Sequence, residues 1–366
     1  MAEFWKKLNI GFLSSFGQKN GFVALDIGSS SIKMVETAID KNDYRVLKVG
    51  ILPLPANAIQ NNMVVDPKPV VETIQQLIRE NGVKSTQAIS AVPGRAVIMK
   101  KIQLPMQEES ELEANIEFEA NNVIPESLEN VNLDYQVLNY LDGGSRMEVL
   151  VVAVKKEIVN SYTEAIQEAG LSPSIMDVDY FAMENMYEAN YPVEEGGGSV
   201  GLIHVGSRST SINLLHNGLS TFTSDLPMGG EEYTENLKRE FNLSSEAAET
   251  LKITGVLDDK KGLNIGPILK ANSENLAEEI RRTVTLYGSV PSDEGGGLKT
   301  IYLSGGGAKV PGLREILEES MSVPVRLAEP FRSFTVAKDI DRNFLVDVSP
   351  IFAVGAGLSI RRPGDK

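Results

Sequence analysis

The sequence predicts an α/β chain of two lobes, each raised on the same strand–turn–strand unit. Three observations predict it: the length, an ungapped internal repeat, and a third glycine turn set between a strand and a helix. At 366 residues the chain exceeds what one ordinary core serves, so two lobes with a cleft between them are expected. A hydrophobic fraction of 42% beside 23% charged residues lies in the globular range and excludes a largely disordered or fibrous chain.

The repeat is the most informative feature. Residues 22 to 35 read FVALDIGSSSIKMV and residues 200 to 213 read VGLIHVGSRSTSIN: an apolar strand, a Gly-Ser-x-Ser turn, and a second alternating strand. Asp26 falls opposite His204, Gly28 opposite Gly206, Ser29 opposite Ser207 and Ser31 opposite Ser209. Each copy reads as a β-hairpin whose small turn lets successive backbone N–H groups point into one concavity, which suits an anion. One such turn is commonplace, whereas two facing each other can hold a polyphosphate from both sides.

The third turn lies in YLSGGGAKVPGLREIL, residues 302 to 317, where a strand runs into Gly305, Gly306 and Gly307 and a helix is expected from near Pro311. Such a loop admits a flat ring or sugar close to the backbone, and the helix N-terminus favours a negative group. It lacks the Lys-Ser/Thr ending of a P-loop, which excludes Walker-type chemistry. Between the second and third turns, Gly229-Gly230 leads into EEYTENLKREFNLSSEAAETLK, a helical stretch broken at Ser244-Ser245. Ser245 is expected to cap the helix that carries Glu249 and Lys252, three apart and so on one face, either as a solvated ion pair or as part of the site.

Residues 87 to 172 differ in texture. A strand pair, AISAVPGRAVIMKKIQLP, leads into the acidic helix EESELEANIEFEANNVIP, then two strands, then KEIVNSYTEAIQEAG, which suggests an inserted α/β subdomain. The acids of that first helix alternate with Leu112, Ile116 and Ala120 and read as a solvated face. Two glycine tracts, at 194 to 199 and 293 to 297, read as connectors.

Composition narrows the function classes. A net charge of −15 without a basic cluster argues against nucleic acid. With no cysteine, disulfides, thiolate metal sites and cysteine nucleophiles are absent, which fits a reducing compartment. His204 and His216 alone do not make a histidine metal site. No apolar run is long enough to cross a bilayer; the run around Val149 to Val154 reads as a buried strand. The leader, residues 1 to 20, is a poor signal peptide but gathers Phe4, Trp5, Leu8, Phe12 and Phe16 near one helical face, suited either to packing on protein or to lying on a membrane surface.

In order, DIGSSSIKMVE, HVGSRSTSI, MGGEEYTENL, EAAETLK, LSGGGAKVPGL and IFAVGAGLSI resemble the actin and FtsA superfamily from about Gly21 to Arg361. Within it the chain looks most like the PilM family of type IV pilus assembly, on the DIGSSSIK opening, Glu36 and the PLP at 53 to 55. The resemblance implies an actin-like, ribonuclease H-like duplicated ATPase fold with an inserted FtsA-type subdomain. The implied subdomains are 21–86 with 173–198 and 345–366, then 87–172 as the insertion, 199–230 with 299–344, and 231–298.

It also implies ATP and Mg²⁺ in the cleft. Asp26, Gly28, Ser29, Ser30, Ser31 and Lys33 would form the first phosphate loop, Lys33 near the β-phosphate and Asp26 holding Mg²⁺ through water. Gly206, Ser207, Ser209 and Thr210, with Gly229 and Gly230, would form the second. Glu249 would meet the ribose, Lys252 the adenosine, and Gly305, Gly306 and Gly307 would make its floor. Mg²⁺ keeps several waters, so one firm carboxylate can suffice.

One departure bears on catalysis. His204 stands where the superfamily usually has an acid, and a neutral imidazole does not replace a carboxylate in drawing in hydrated Mg²⁺, so at most slow ATP hydrolysis is expected. Asp179 occupies the place where the superfamily often positions water, although an Asp at a strand-to-helix junction is more often a helix N-cap.

The implied role is an ATP-gated cytoplasmic adaptor at the inner face of the inner membrane. It would bind the N-terminal cytoplasmic segment of PilN, with the assembly motor ATPases as further contacts and self-association left open. Two alternatives share the core. An FtsA-like filament former usually carries a C-terminal membrane helix, whereas this chain stops at LSIRRPGDK. A small-molecule kinase needs a general base beside an acceptor pocket, which the sequence does not display.

Overall fold

The structure is a computed structural model that describes residues 21–40, 43–192, 198–257, 262–287 and 297–364. The aromatic leader and most of both glycine tracts lie outside the described residues.

The first lobe opens with three antiparallel strands, β1 (Phe22–Ile27), β2 (Ser31–Asp40) and β3 (Asp43–Pro53), followed by the small hairpin β4 (Ile59–Gln60) and β5 (Met63–Val64). Helix α1 (Pro67–Asn81) starts on a proline whose fixed φ suits the first turn and stops at Gly82, at φ 62°, whose N–H reaches back to Ile78 and Arg79 carbonyls. It buries Val70, Ile74 and Leu77, one helical stripe. Strand β6 (Gln87–Val92) then returns parallel to β1.

The chain next leaves this sheet. Strand β7 (Val97–Pro105), helix α2 (Glu109–Val123), β8 (Val131–Leu141) and β9 (Arg146–Lys155) make a separate three-stranded sheet, order β7-β9-β8. Its core takes Leu112, Ile116 and Ala120 from α2 against Val149, Val151 and Ala153, the alternate residues of β9. Helix α3 (Lys156–Glu168) brings the chain back, and β10 (Ser172–Val178) joins β6 in parallel before α4 (Asp179–Asn190).

The second lobe repeats the plan. Strands β11 (Ser199–Val205), β12 (Thr210–His216) and β13 (Leu219–Leu226) are antiparallel. Helices α5 (Gly230–Phe241), α6 (Ser245–Thr254) and α7 (Gly266–Tyr287) follow. Strand β14 (Leu298–Ser304) runs parallel to β11, helix α8 (Leu313–Met321) follows, and β15 (Val325–Leu327) runs parallel to β14. The chain closes with β16 (Thr335–Val336) on the edge of β3, α9 (Arg342–Val348) and α10 (Ala353–Ser359). The sheet orders β3-β2-β1-β6-β10 and β13-β12-β11-β14-β15 are the same permutation of successive strands, so the duplication extends from the turns to the whole topology.

The lobes share packing because strands alternate. Val200 and Leu202 of β11 feed the first core while Ile203 and Val205, pointing the other way, feed the second. Helices α4 and α10 approach so closely that a Cβ on Gly357 would lie 1.7 Å from the Ala182 carbonyl oxygen. Asp177, fully buried on β10, is met by Arg361 Nε at 3.2 Å, which pins the end of the chain under the first sheet.

Three sequence readings change. Residues 87–92 and 156–168, read as part of the insertion, sit in the first lobe's sheet and core, which leaves 97–155 as the separate sheet with its helix. AISAV and the strand after it are consecutive but pair in different sheets, because β6 finds β1 and β10, both distant in sequence. Ala328, Phe331 and Phe334 pack in the first core, although the second lobe was expected to hold them.

Candidate functional site

Parallel strands deliver their carboxyl ends to one side of each sheet, the usual place for a ligand in an open α/β sheet. In the first lobe those ends carry the Asp26–Lys33 turn from β1, Gly94 and Arg95 after β6, and Asp179 after β10. In the second they carry the His204–Thr210 turn from β11 and Gly305–Gly307 after β14.

The two turns close alike. Gly28 N–H donates to the Ser31 carbonyl at 3.1 Å, and Gly206 N–H donates to the Ser209 carbonyl at 2.9 Å. Asp26 and Lys33 are cross-strand partners, which brings Lys33 Nζ to 3.4 Å from Asp26 Oδ2, with side chains only 12% and 14% exposed. That same oxygen is buried and accepts no hydrogen bond. The Ser30 carbonyl accepts from Leu54 N–H at 2.8 Å, which fastens the turn to the PLP segment.

The second turn is roofed by backbone. Gly230 N–H donates to the Gly206 carbonyl at 2.9 Å and Glu231 N–H to the Ser207 carbonyl at 2.8 Å, while Thr210 Oγ1 donates to the Met228 carbonyl. Lys252 Nζ donates to the Gly230 carbonyl at 3.0 Å, to Thr234 Oγ1 at 2.9 Å and to Glu249 Oε2 at 2.7 Å, so the Glu249–Lys252 pair is a strut from α6 to the turn. The helix that carries it is capped by Ser244, whose hydroxyl accepts from Ala247 N–H, one residue earlier than the sequence suggested. At the third turn Gly305, at φ 88°, and Gly307 rest on Val205, where a Cβ would come within 2.3 Å. Gly306 faces open space, and α8 begins at Leu313 beyond a turn containing Pro311.

His204 Nδ1 lies 3.0 Å from Ser304 Oγ. Burial holds its imidazole down to about 4, with Asp26 opposing and Lys33 reinforcing, so the ring is neutral and close to the first turn across the cleft. Asp179 is the first residue of α4, whose cap position is Val178; its Oδ1 accepts the Gly94 N–H at 2.8 Å. Burial, then the negative charges of Asp225 and Asp26, push its carboxyl up to about 8.

Asp225, Tyr180, Arg95 and Arg208 were not found by sequence reasoning. Asp225, next to last in β13, accepts from Ser211 Oγ at 2.7 Å and from the Tyr180 hydroxyl, a bond between the lobes. Burial raises its carboxyl from the usual range. Arg208, inside the second turn, spans the cleft: Nε donates to Glu231 at 3.0 Å, Nη1 to the Ile59 carbonyl at 2.7 Å, and Nη2 to the Ala56 carbonyl. The only signal for Arg208 was its place within the repeat, where the first copy has Ser30.

Among the described residues no cluster of three acidic or histidine side chains could hold a metal ion, and no helix is long and apolar enough to cross a membrane.

The geometry matches known proteins. The structure described as a PilM-PilN type IV pilus biogenesis complex superposes with a TM-score of 0.81 at 28% identity, covering 93% of this chain and 97% of that one. An MreB of Spiroplasma citri bound to AMPPNP shares the fold, with a TM-score of 0.50 at 11% identity over 94% of this chain and 96% of that one. The cell division protein FtsA of Bacillus subtilis is 23% identical over 383 residues, 92% of this chain and 82% of the relative. The fold is actin-like. A family model described as type IV pilus assembly protein PilM matches residues 24–363, and the chain belongs to that family.

Proposed function

We propose that the chain is an ATP-binding adaptor of type IV pilus assembly, whose cleft state sets its affinity for the cytoplasmic N-terminal segment of a PilN protein. The observation that carries the nucleotide half is the pair of backbone-closed turns, one bearing Lys33 beside Asp26, whose residues Ser29 and Arg208 line a common cavity. Support for the partner half comes from the family and from the PilM-PilN complex that the chain resembles. Gating needs only that the partner prefer one cleft state, and a ligand that prefers the same state then shifts the balance.

Mg²⁺ fits the donor set. Asp26 Oδ2, buried without a hydrogen bond, is suited to hold it through water, because this cation keeps several of its own waters and needs few carboxylates. When bound it would supply compact positive charge against phosphate oxygens. Turnover is expected to be slow: His204 is neutral and low in basicity, and Asp179, near 8, is mostly protonated at neutral pH and a poor base. Attachment to the inner membrane runs through the partner, and contact with motor ATPases belongs to the same reading.

Calorimetry of ATP with the wild type and with Lys33→Ala tests the cleft; the variant should bind at least about tenfold more weakly, a loss of about 1.4 kcal/mol or more. Equal affinity would remove Lys33 from the site. Pull-down of the PilN N-terminal segment with and without ATP tests the gating, and capture to the same extent in both states contradicts it.

A further inference from the structure

A cavity of about 540 Å³ opens beside the first turn, lined among others by Ser29, Asn57, Gln60, Asn62, Arg95 and Arg208. Its two cations differ in what they already hold. Arg208 has its guanidinium on Glu231 and on the carbonyls of Ile59 and Ala56, with all three nitrogens engaged. Arg95 is exposed, and among the described residues its guanidinium has no hydrogen bond and no ion pair.

The backbone that carries Arg95 is nevertheless fixed. Gly94 N–H is held by Asp179 Oδ1 at 2.8 Å, and Ala96 N–H closes on the Pro93 carbonyl at 2.9 Å. A Cβ on Gly94 would sit 2.1 Å from Tyr180 Cε2, so the 3₁₀ turn Gly94–Ala96 is pressed against the start of α4. Because β1 and β6 run parallel with Leu25 beside Ser90, Ser29 and Arg95 rise from the same end of adjacent strands. A planar fork with no hydrogen bond of its own, its charge felt by Asp225, set on a fixed turn and sharing a cavity with a phosphate-type loop, is the arrangement for bidentate recognition of a phosphate.

We propose that Arg95 reads the terminal phosphate of the bound nucleotide and so distinguishes a triphosphate from a diphosphate. This rests on the nucleotide reading above and deepens it: Lys33, drawn back onto Asp26, serves either nucleotide, while Arg95 is engaged by the longer one. The turn also touches the device that joins the lobes, since Tyr180, which packs on Gly94, donates its hydroxyl to Asp225 on β13. A phosphate held by Arg95 therefore pulls on the same residues that hold the lobes together.

The test is calorimetry of the full chain with ATP and, separately, ADP, both with Mg²⁺, for the wild type, Arg95→Ala, Arg95→Lys and Lys33→Ala. Arg95→Ala should weaken ATP by about tenfold or more and leave ADP within about twofold, with Arg95→Lys between. Lys33→Ala should weaken both nucleotides. An unchanged thermal midpoint for Arg95→Ala, expected for an exposed side chain, establishes that the fold is intact. Equal losses for ATP and ADP, or no loss, overturn the role of Arg95 while leaving the cleft reading standing. A wild type that binds neither nucleotide overturns the cleft reading, and the role of Arg95 falls with it.

Discussion

The two hairpin turns share a backbone and divide the chemistry. Both close through a glycine N–H on a serine carbonyl three residues on. The first carries a charged pair across its strands, Asp26 with Lys33; at the matching register the second carries His204 with Ser211, both uncharged at neutral pH. The first buries a carboxylate oxygen that accepts no hydrogen bond, whereas the second is packed under Gly229, Gly230 and the Lys252 strut. The cradle is repeated, while a charged pair across the strands occurs in the first copy alone.

The sharpest way to break that comparison is to crowd each turn. A Cβ on Gly229 would lie 2.5 Å from the Ser207 carbonyl oxygen and 2.6 Å from that of Gly206, both backbone atoms, so Gly229→Ala should lower unfolding stability by about 2–3 kcal/mol. On Gly28 the nearest atom is the flexible Lys33 Nζ at 3.1 Å, and Gly28→Ala should lower it by less than about 1 kcal/mol. Urea unfolding of both variants decides, and equal losses would mean that the second turn is no more tightly packed than the first.

Proton linkage is the next largest effect. His204 takes its proton near 6.5 when unfolded and near 4 when folded, so below about 6.5 the unfolded chain binds more protons and stability falls as the pH drops toward 4. Asp179 and Glu184, each raised to about 8 chiefly by burial, act the other way, since the folded state holds their protons and stability falls as the pH rises toward 8. Subtracting a variant isolates the histidine. The stability gap between wild type and His204→Asn should move by about 3 kcal/mol in favour of the variant between pH 7 and pH 4. A gap that stays constant would place the imidazole in contact with water.

The smallest effect concerns how each turn receives its cation. Lys33 arrives on the strand itself, while Lys252 is brought by α6, whose first turn is held by the Ser244 hydroxyl. Ser244→Ala should lower stability by about 0.5–1 kcal/mol, read as a small shift in the urea midpoint. No shift would mean that the Lys252 strut holds the helix without its cap.

What could be read from the sequence was whatever depends on neighbours along the chain. The hairpins announced themselves because alternation and a Gly-Ser turn are local signals, and β9 did so through its apolar run. The insertion was drawn too wide because only Pro93 to Ala96 separate β6 from β7, a spacing that looks like a hairpin. That the strands part company is settled by β1 and β10, which no local pattern reveals. Ser244 and Ser245 are chemically equal caps, and only the backbone geometry, extended at Ser244, tells them apart. Asp225, Arg95 and Arg208 gain meaning only where the lobes meet, from groups 45 residues away in the Tyr180–Asp225 bond and 149 in the Arg208–Ile59 bond.

The turn that carries Arg95 ends one residue before β7 begins, and β7 is the first strand of the inserted sheet. That sheet also touches the far lobe, where Lys101 Nζ donates to the Ser220 carbonyl at 3.1 Å. The smaller unit is therefore joined to the first lobe at the root of β7 and tied to the second lobe at the middle of that strand, like a boom stepped at the foot of a mast and stayed halfway along. A strand fastened at both points carries any change in the turn beneath it toward both lobes at once.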